Sequence, residues 1–187
     1  MSARTEHRSL SEAEYLDAEA TADYKSEYLA GEVFAMAGAS ERHNRIAGNI
    51  FFHLRSASRG HSCRAFMADM KLRISTQQAF YYPDAMLVCE PEDDHPLYKS
   101  APCFLAEVLS PATAAIDQRE KWLAYRDIHA LQYYLLVDSE RIYARLFRRE
   151  GGIWGEQVLD PGDILQLDCG GLSISLSLDD LYEDSGL

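Results

Sequence analysis

The sequence predicts one mixed α+β domain, with two main helices flanking a central mixed sheet whose strands are joined mainly by hairpins. Three observations predict it. Apolar residues recur at helical spacing after Ser40, and good helix formers fill the stretch after Thr113. Short apolar or alternating runs separated by Gly, Asp and Pro fill most of the remainder. The chain has 187 residues, 47% hydrophobic and 26% charged, which suits a single domain with a substantial core, taken here as residues 1–187.

The elements follow in order. Ser11-Glu12-Ala13-Glu14 has the form of a capping box and opens a short helix through about Ala20. Two extended runs, 24–29 and 32–36, flank Ala30-Gly31 as a hairpin. Ser40 caps a longer helix whose apolar face is Ile46, Ala47, Ile50, Phe51 and Leu54, and Gly60 ends it. Strands are predicted over 62–67, 70–74 and, as one continuous run, 79–89. A charged loop spans 90–95, and Cys103–Leu109 is a compact apolar strand closed by Ser110-Pro111. Thr113 caps a second helix to about Asp127. Residues 131–137 form a buried strand answered by 141–148 across a turn, and short strands at 153–159, 164–167 and 172–176 precede a helical turn at 178–182. The 131–148 hairpin is also the predicted edge through which two copies would pair as a homodimer.

Composition narrows the function. The formal net charge is −12, from 18 basic and 30 acidic side chains. On its own this argues against a nucleic-acid partner, since phosphate binding leaves a basic footprint. The charge is unevenly distributed, however. Residues 33–73 carry seven basic against two acidic side chains, residues 141–150 four against one, and residues 151–187 no Lys or Arg. These two basic islands read either as solvated faces or as phosphate-facing surface. No apolar run is long enough for a membrane span, and the first twenty residues contain no apolar leader. Four scattered cysteines without a CxxC pair read as reduced, buried hydrophobes of a cytoplasmic protein. Six dispersed histidines offer no HxxxH or HExxH spacing for zinc.

Two carboxylates carry the chemistry. Glu107 interrupts an otherwise apolar strand and, at period two, shares a face with Leu105 and Leu109. Burying an ionised carboxylate costs several kcal/mol unless a cation or metal compensates. Asp84 follows Tyr82-Pro83 and opens the apolar run 85–89. Each alone also fits a solvated or Arg-paired strand end; two carboxylates converging from neighbouring strands form the usual seat of a hard divalent cation. Asp117 and Lys121 stand at i,i+4, and spacing alone favours a helix-surface ion pair. The alternative points Lys121 back at the Glu107 strand end, where an ammonium would stabilise a scissile phosphate. His43 reads as a helix N-terminal packing residue or as a phosphate or metal neighbour. Gln118, Trp122 and Tyr125 read as packing and positioning residues, and Tyr81 and Tyr82 as core, with base stacking as the alternative.

The ordered set Gly31–Gly38, His43, Tyr82-Pro83-Asp84, Ala106–Thr113, Asp117, Lys121, Tyr125 and Tyr133–Asp138 resembles the PD-(D/E)xK endonucleases of the Uma family. The resemblance covers about residues 10–182. It implies a restriction-endonuclease-like core, Mg²⁺ dependence with Mn²⁺ able to substitute, and a nucleic-acid substrate, DNA in the first instance. Residue by residue it implies that Asp84 and Glu107 are catalytic and hold the metal. It also implies that Lys121 is the catalytic lysine, displaced to the following helix because Leu109 stands where the general pattern has Lys, and that Glu32 is a further acidic member. Two rival functions remain at this stage: a catalytically silent interaction or regulatory domain that keeps the nuclease fold, and a metal-dependent hydrolase of another phosphoester.

Overall fold

A computed structural model describes residues 9–36, 38–110 and 120–187. The predicted Thr113 cap, with Asp117 and Gln118, lies outside the described residues.

The chain opens with α1 (Glu12–Glu19), and the Ser11/Glu14 capping box forms as its sequence requires. Strands β1 (Ser26–Leu29) and β2 (Glu32–Ala35) pair antiparallel across Ala30-Gly31. Both turn residues have positive φ, +48° and +98°, the twist that a two-residue hairpin needs. Ser40 caps α2 (Glu41–Ala57), which buries Ile46, Ala47, Ile50 and Leu54. There follow β3 (Arg64–Met67), β4 (Lys71–Ile74), a 3₁₀ turn, β5 (Ala79–Tyr81) and β6 (Ala85–Val88). Next come β7 (Tyr98–Lys99), β8 (Pro102–Leu109) and the short helix α3 (Trp122–Tyr125). The chain ends in β9 (Tyr133–Asp138), β10 (Ala144–Glu150), β11 (Ile153–Leu159), β12 (Ile164–Cys169), β13 (Leu172–Ser177) and α4 (Leu178–Tyr182).

The fold is α+β, and its central sheet is mixed. Six strands run in the order β11-β10-β9-β8-β6-β3, with β8 and β9 parallel and the other pairs antiparallel. A second sheet, β2-β1-β5-β4-β7, packs against one face of it, and the two-stranded ribbon β12-β13 lies on the other side with α2 and α4. Strand alternation divides β8 accordingly. Phe104, Ala106 and Val108 face α2 and the ribbon, while Leu105 and Leu109 face the five-stranded sheet and α3. Tyr15, Tyr28 and Phe80 form a third cluster beneath α1, on the outer face of the five-stranded sheet.

Three expectations change. The predicted strand 79–89 is two strands in different sheets, broken at Tyr82-Pro83-Asp84, because Pro83 has no N–H to continue a ladder. The 131–148 hairpin offers no free edge, since β9 lies between β8 and β10, and β10 lies between β9 and β11. Tyr81 and Tyr82 are buried, in keeping with the core reading and against the alternative of base stacking. The cysteines are not reduced: Cys63 bonds to Cys89 and Cys103 to Cys169. Cys63 directly precedes β3 and Cys89 directly follows β6, so the Arg64↔Val88 register sets them opposite one another. Sequence spacing of 26 and 66 residues conceals both pairings, and the thiol-based argument for a cytoplasmic protein falls away with them. Among the described residues no helix is long and apolar enough to cross a membrane.

Candidate active site

The interior between the two sheets is largely apolar, and at one end of it β8 carries Glu107 on the face of Leu105 and Leu109. Every residue of β8 is buried, and Glu107 is only 4% exposed. Its Oε1 accepts a hydrogen bond of 2.8 Å from the Tyr125 hydroxyl on α3. Lys121, at the start of α3 and 7% exposed, places Nζ 3.4 Å from the same oxygen. From the facing sheet, β1 directs Glu27 inward, with Oε1 3.0 Å from Lys121 Nζ. That contact is close enough for an ion pair but lacks hydrogen-bond alignment, so Glu27 Oε1 is a buried oxygen without a hydrogen-bond donor. Lys121 also lies 5.8 Å from the Tyr81 ring centroid, and the Tyr81 and Tyr134 rings meet Tyr125 edge-on.

Asp84 approaches from the adjacent strand. The register Ala85↔Ala106 brings Asp84 opposite Glu107, and Asp84 Oδ2 accepts a 2.7 Å hydrogen bond from the Val108 N–H. His43, near the N-terminus of α2, holds Nε2 3.4 Å from the same Oδ2. Oδ1 of Asp84 makes no hydrogen bond or ion pair with the described residues.

The electrostatics follow from burial. Desolvation, then the negative charge of Glu107, pushes the Tyr125 phenol well above its ordinary value, so it remains a neutral donor to the carboxylate. Tyr81 is raised by burial and by Glu27, against a smaller opposing effect from Lys121. Among the described residues, Glu27 and Glu107 flank the Lys121 ammonium, and Asp84 lies on the strand beside Glu107.

The structure thus brings together Asp84, Glu107 and Lys121, with His43 and Tyr125 beside them. Lys121 turns to the Glu107 strand end, the alternative that spacing alone did not favour. Glu32 lies elsewhere: it is exposed at the start of β2, opposite Leu29, with no contact to the cluster. Glu27, one strand away, is the residue that sequence reasoning missed. Its signal was available in a weak form, an acidic residue inside a predicted strand, where Glu is disfavoured. Among the described residues, no three His, Cys, Asp or Glu side chains are gathered closely enough to hold a metal by themselves.

The family model described as "Putative restriction endonuclease", Uma2, matches residues 12–179. The chain belongs to the Uma2 family. Two Synechocystis relatives, both uncharacterized, are similar to it. The protein sll1609 is 38% identical over 133 residues, 70% of this chain and 75% of its own length. The protein slr1290 is 32% identical over 171 residues, 90% of each chain. Among solved structures, a "putative nuclease belonging to DUF820" from Anabaena variabilis superposes with a TM-score of 0.72 at 18% identity, covering 92% of this Uma2 chain and 97% of that one. At that identity the likeness speaks for the fold.

Proposed function

We propose that this Uma2 protein is a Mg²⁺-dependent endonuclease that hydrolyses DNA phosphodiester bonds, with Mn²⁺ able to substitute. The single observation that carries this proposal is the buried Glu107–Lys121–Glu27 ion cluster with Asp84 on the neighbouring strand. A protein core gains little from such a group, because desolvation of the charges offsets most of their attraction. Among the described residues, carboxylates outnumber the ammonium at this site, which is costlier still. It is accounted for if a divalent cation and an anionic substrate complete the charge balance.

The donor set fits the ion. Mg²⁺ takes hard oxygen ligands, commonly one or two carboxylates with the rest from water and substrate phosphate, so a three-residue protein cage is not required. Asp84 and Glu107 supply carboxylate oxygens, and the orphaned Oε1 of Glu27 is a third oxygen in reach of a bound water. Bound there, the ion would polarise the phosphoryl oxygen and lower the pKa of an attacking water.

The side chains have separate roles. The Val108 N–H fixes the Asp84 carboxylate, and the Tyr125 hydroxyl fixes Glu107, so neither has to reorganise as substrate arrives. Lys121 presents an ammonium that shifts from its carboxylate partners toward the phosphoryl oxygen as negative charge develops there. Glu27 holds Lys121 from the opposite side. The origin of the lysine on α3 rather than β8 does not affect this role, since a compact ammonium acts through its position.

The test is a panel of duplex DNA, single-stranded DNA and RNA incubated with purified protein in Mg²⁺ and in EDTA. Metal-dependent cleavage of the duplex is expected. Cleavage of none of them would overturn the enzyme proposal in favour of a silent domain, and activity on small phosphodiesters alone would assign a different substrate class.

A further inference from the structure

Tyr82-Pro83-Asp84 carries the chain from the five-stranded sheet to the six-stranded sheet, and two lysines flank it. Lys71 Nζ lies 5.1 Å from the Tyr82 ring centroid and Lys25 Nζ 5.8 Å from it. Lys25 donates to the Ala68 carbonyl at 3.2 Å, and the Ala68 N–H in turn donates to the Asp84 carbonyl at 3.3 Å. Both ammoniums therefore stand beside the backbone that positions an acid of the candidate site.

This is positive charge of an unusual kind for the molecule. Most other basic side chains have local occupations: Arg73 pairs with Glu12, Arg45 with Glu41 and Arg145 with Glu156, and Lys99 and Arg149 donate to carbonyls. Lys71 has no carboxylate within ion-pair distance among the described residues. Burial lowers its pKa first, Glu19 opposes that shift, and Lys25 adds to it. Among the described residues Lys25 pairs only with Asp69, whose side chain is 85% exposed, an exchangeable surface contact. Two like charges held together, one with no described carboxylate at ion-pair distance and one weakly paired, form a seat for an external anion.

We infer that Lys25 and Lys71 together bind the phosphate backbone of a polynucleotide and so deliver the neighbouring phosphodiester to Asp84 and Glu107. The inference rests on the proposed nuclease function and deepens it. Phosphate would displace Asp69 from Lys25 and give Lys71 a direct ion pair, releasing condensed counterions from the nucleic acid.

The experiment measures binding of a short fluorescein-labelled DNA duplex in EDTA, where hydrolysis is halted, as a function of salt. Wild type is compared with Lys25→Gln, Lys71→Gln and the double variant. Arg59→Gln serves as the control, since it lies past the far end of the 17-residue α2, about 25 Å from the N-terminus that touches Asp84. Each lysine substitution should flatten the plot of log affinity against log salt by about one, and the double variant by about two. Lys25→Arg and Lys71→Arg should restore the slope, which separates lost charge from disturbed folding. An unchanged slope in the double variant, or an equal change in Arg59→Gln, would overturn the site while leaving the nuclease proposal standing. Failure of wild type to bind any polynucleotide at low salt would overturn both.

Discussion

Glu107 is the side chain whose surroundings demand the most explanation. It lies on a fully buried strand and shares a single ammonium with Glu27, while Asp84 stands opposite. Removing Lys121 takes from Glu27 and Glu107 the ammonium that, among the described residues, they share. Lys121→Met should therefore destabilise the fold by about 3–5 kcal/mol at neutral pH, the usual cost of breaking a buried pair. Chemical denaturation of the variant at neutral pH checks this, and equal stability to wild type would contradict the ion cluster. Asp84, Glu107 and Lys121 were legible in the sequence because each breaks a local pattern or fills a family position. Glu27 was not, because its partner Lys121 comes from α3, ninety-odd residues further along the chain, a proximity that no strand periodicity encodes. Glu32, two positions along the same hairpin face, has the residue type without the burial.

The elements themselves were largely written into local sequence. Ser11 and Ser40 cap their helices, Ala30-Gly31 turns the first hairpin, and the last three strands fall where their Gly and Asp turns put them. Local signals failed where the partner was distant. Tyr82-Pro83-Asp84 looked like the middle of one long strand, yet Pro83 makes it the crossing between two sheets, and that crossing is what delivers Asp84 to Glu107. The cysteines failed for the same reason, since register and layer packing, rather than spacing, decide which sulfurs meet. The bonds tie β3 to β6 and β8 to β12, and so fasten the strands that carry both acids to the layers around them. Thiol titration of unfolded, unreduced protein should find no free cysteine, and reduction should lower stability by about 2–4 kcal/mol for each bond. Four titratable thiols in freshly purified protein would contradict the pairing.

Over the whole molecule, the −12 charge is not the obstacle to nucleic acid that it first suggests. The basic islands are partly consumed in structure: Arg145 and Arg148 of β10 are engaged with Glu156 and the Gln166 carbonyl. Positive charge beside the acidic cluster comes instead from Lys121, Lys25 and Lys71. Weak, salt-sensitive affinity is the expected consequence. Buried phenols give the molecule a second global property. Burial raises Tyr15, Tyr81, Tyr82 and Tyr125 above the ordinary value, and Tyr182 to about 12. These groups stay protonated in the fold while the unfolded chain begins to ionise near pH 10, so the unfolded state binds fewer protons and stability falls as pH rises from about 10 toward the folded values. The melting temperature should accordingly drop between pH 8.5 and pH 11, and a flat profile would contradict the burial of these hydroxyls.

The most direct test of the central claim is the Mg²⁺-dependent nicking rate of supercoiled plasmid by wild type and by Glu107→Gln. The amide keeps an acceptor for the Tyr125 hydroxyl and removes one of the two negative charges on Lys121, so the variant should melt within a few degrees of wild type. The account predicts nicking by wild type that EDTA abolishes, and nicking by Glu107→Gln at background. Nicking by a folded Glu107→Gln at the wild-type rate would contradict it.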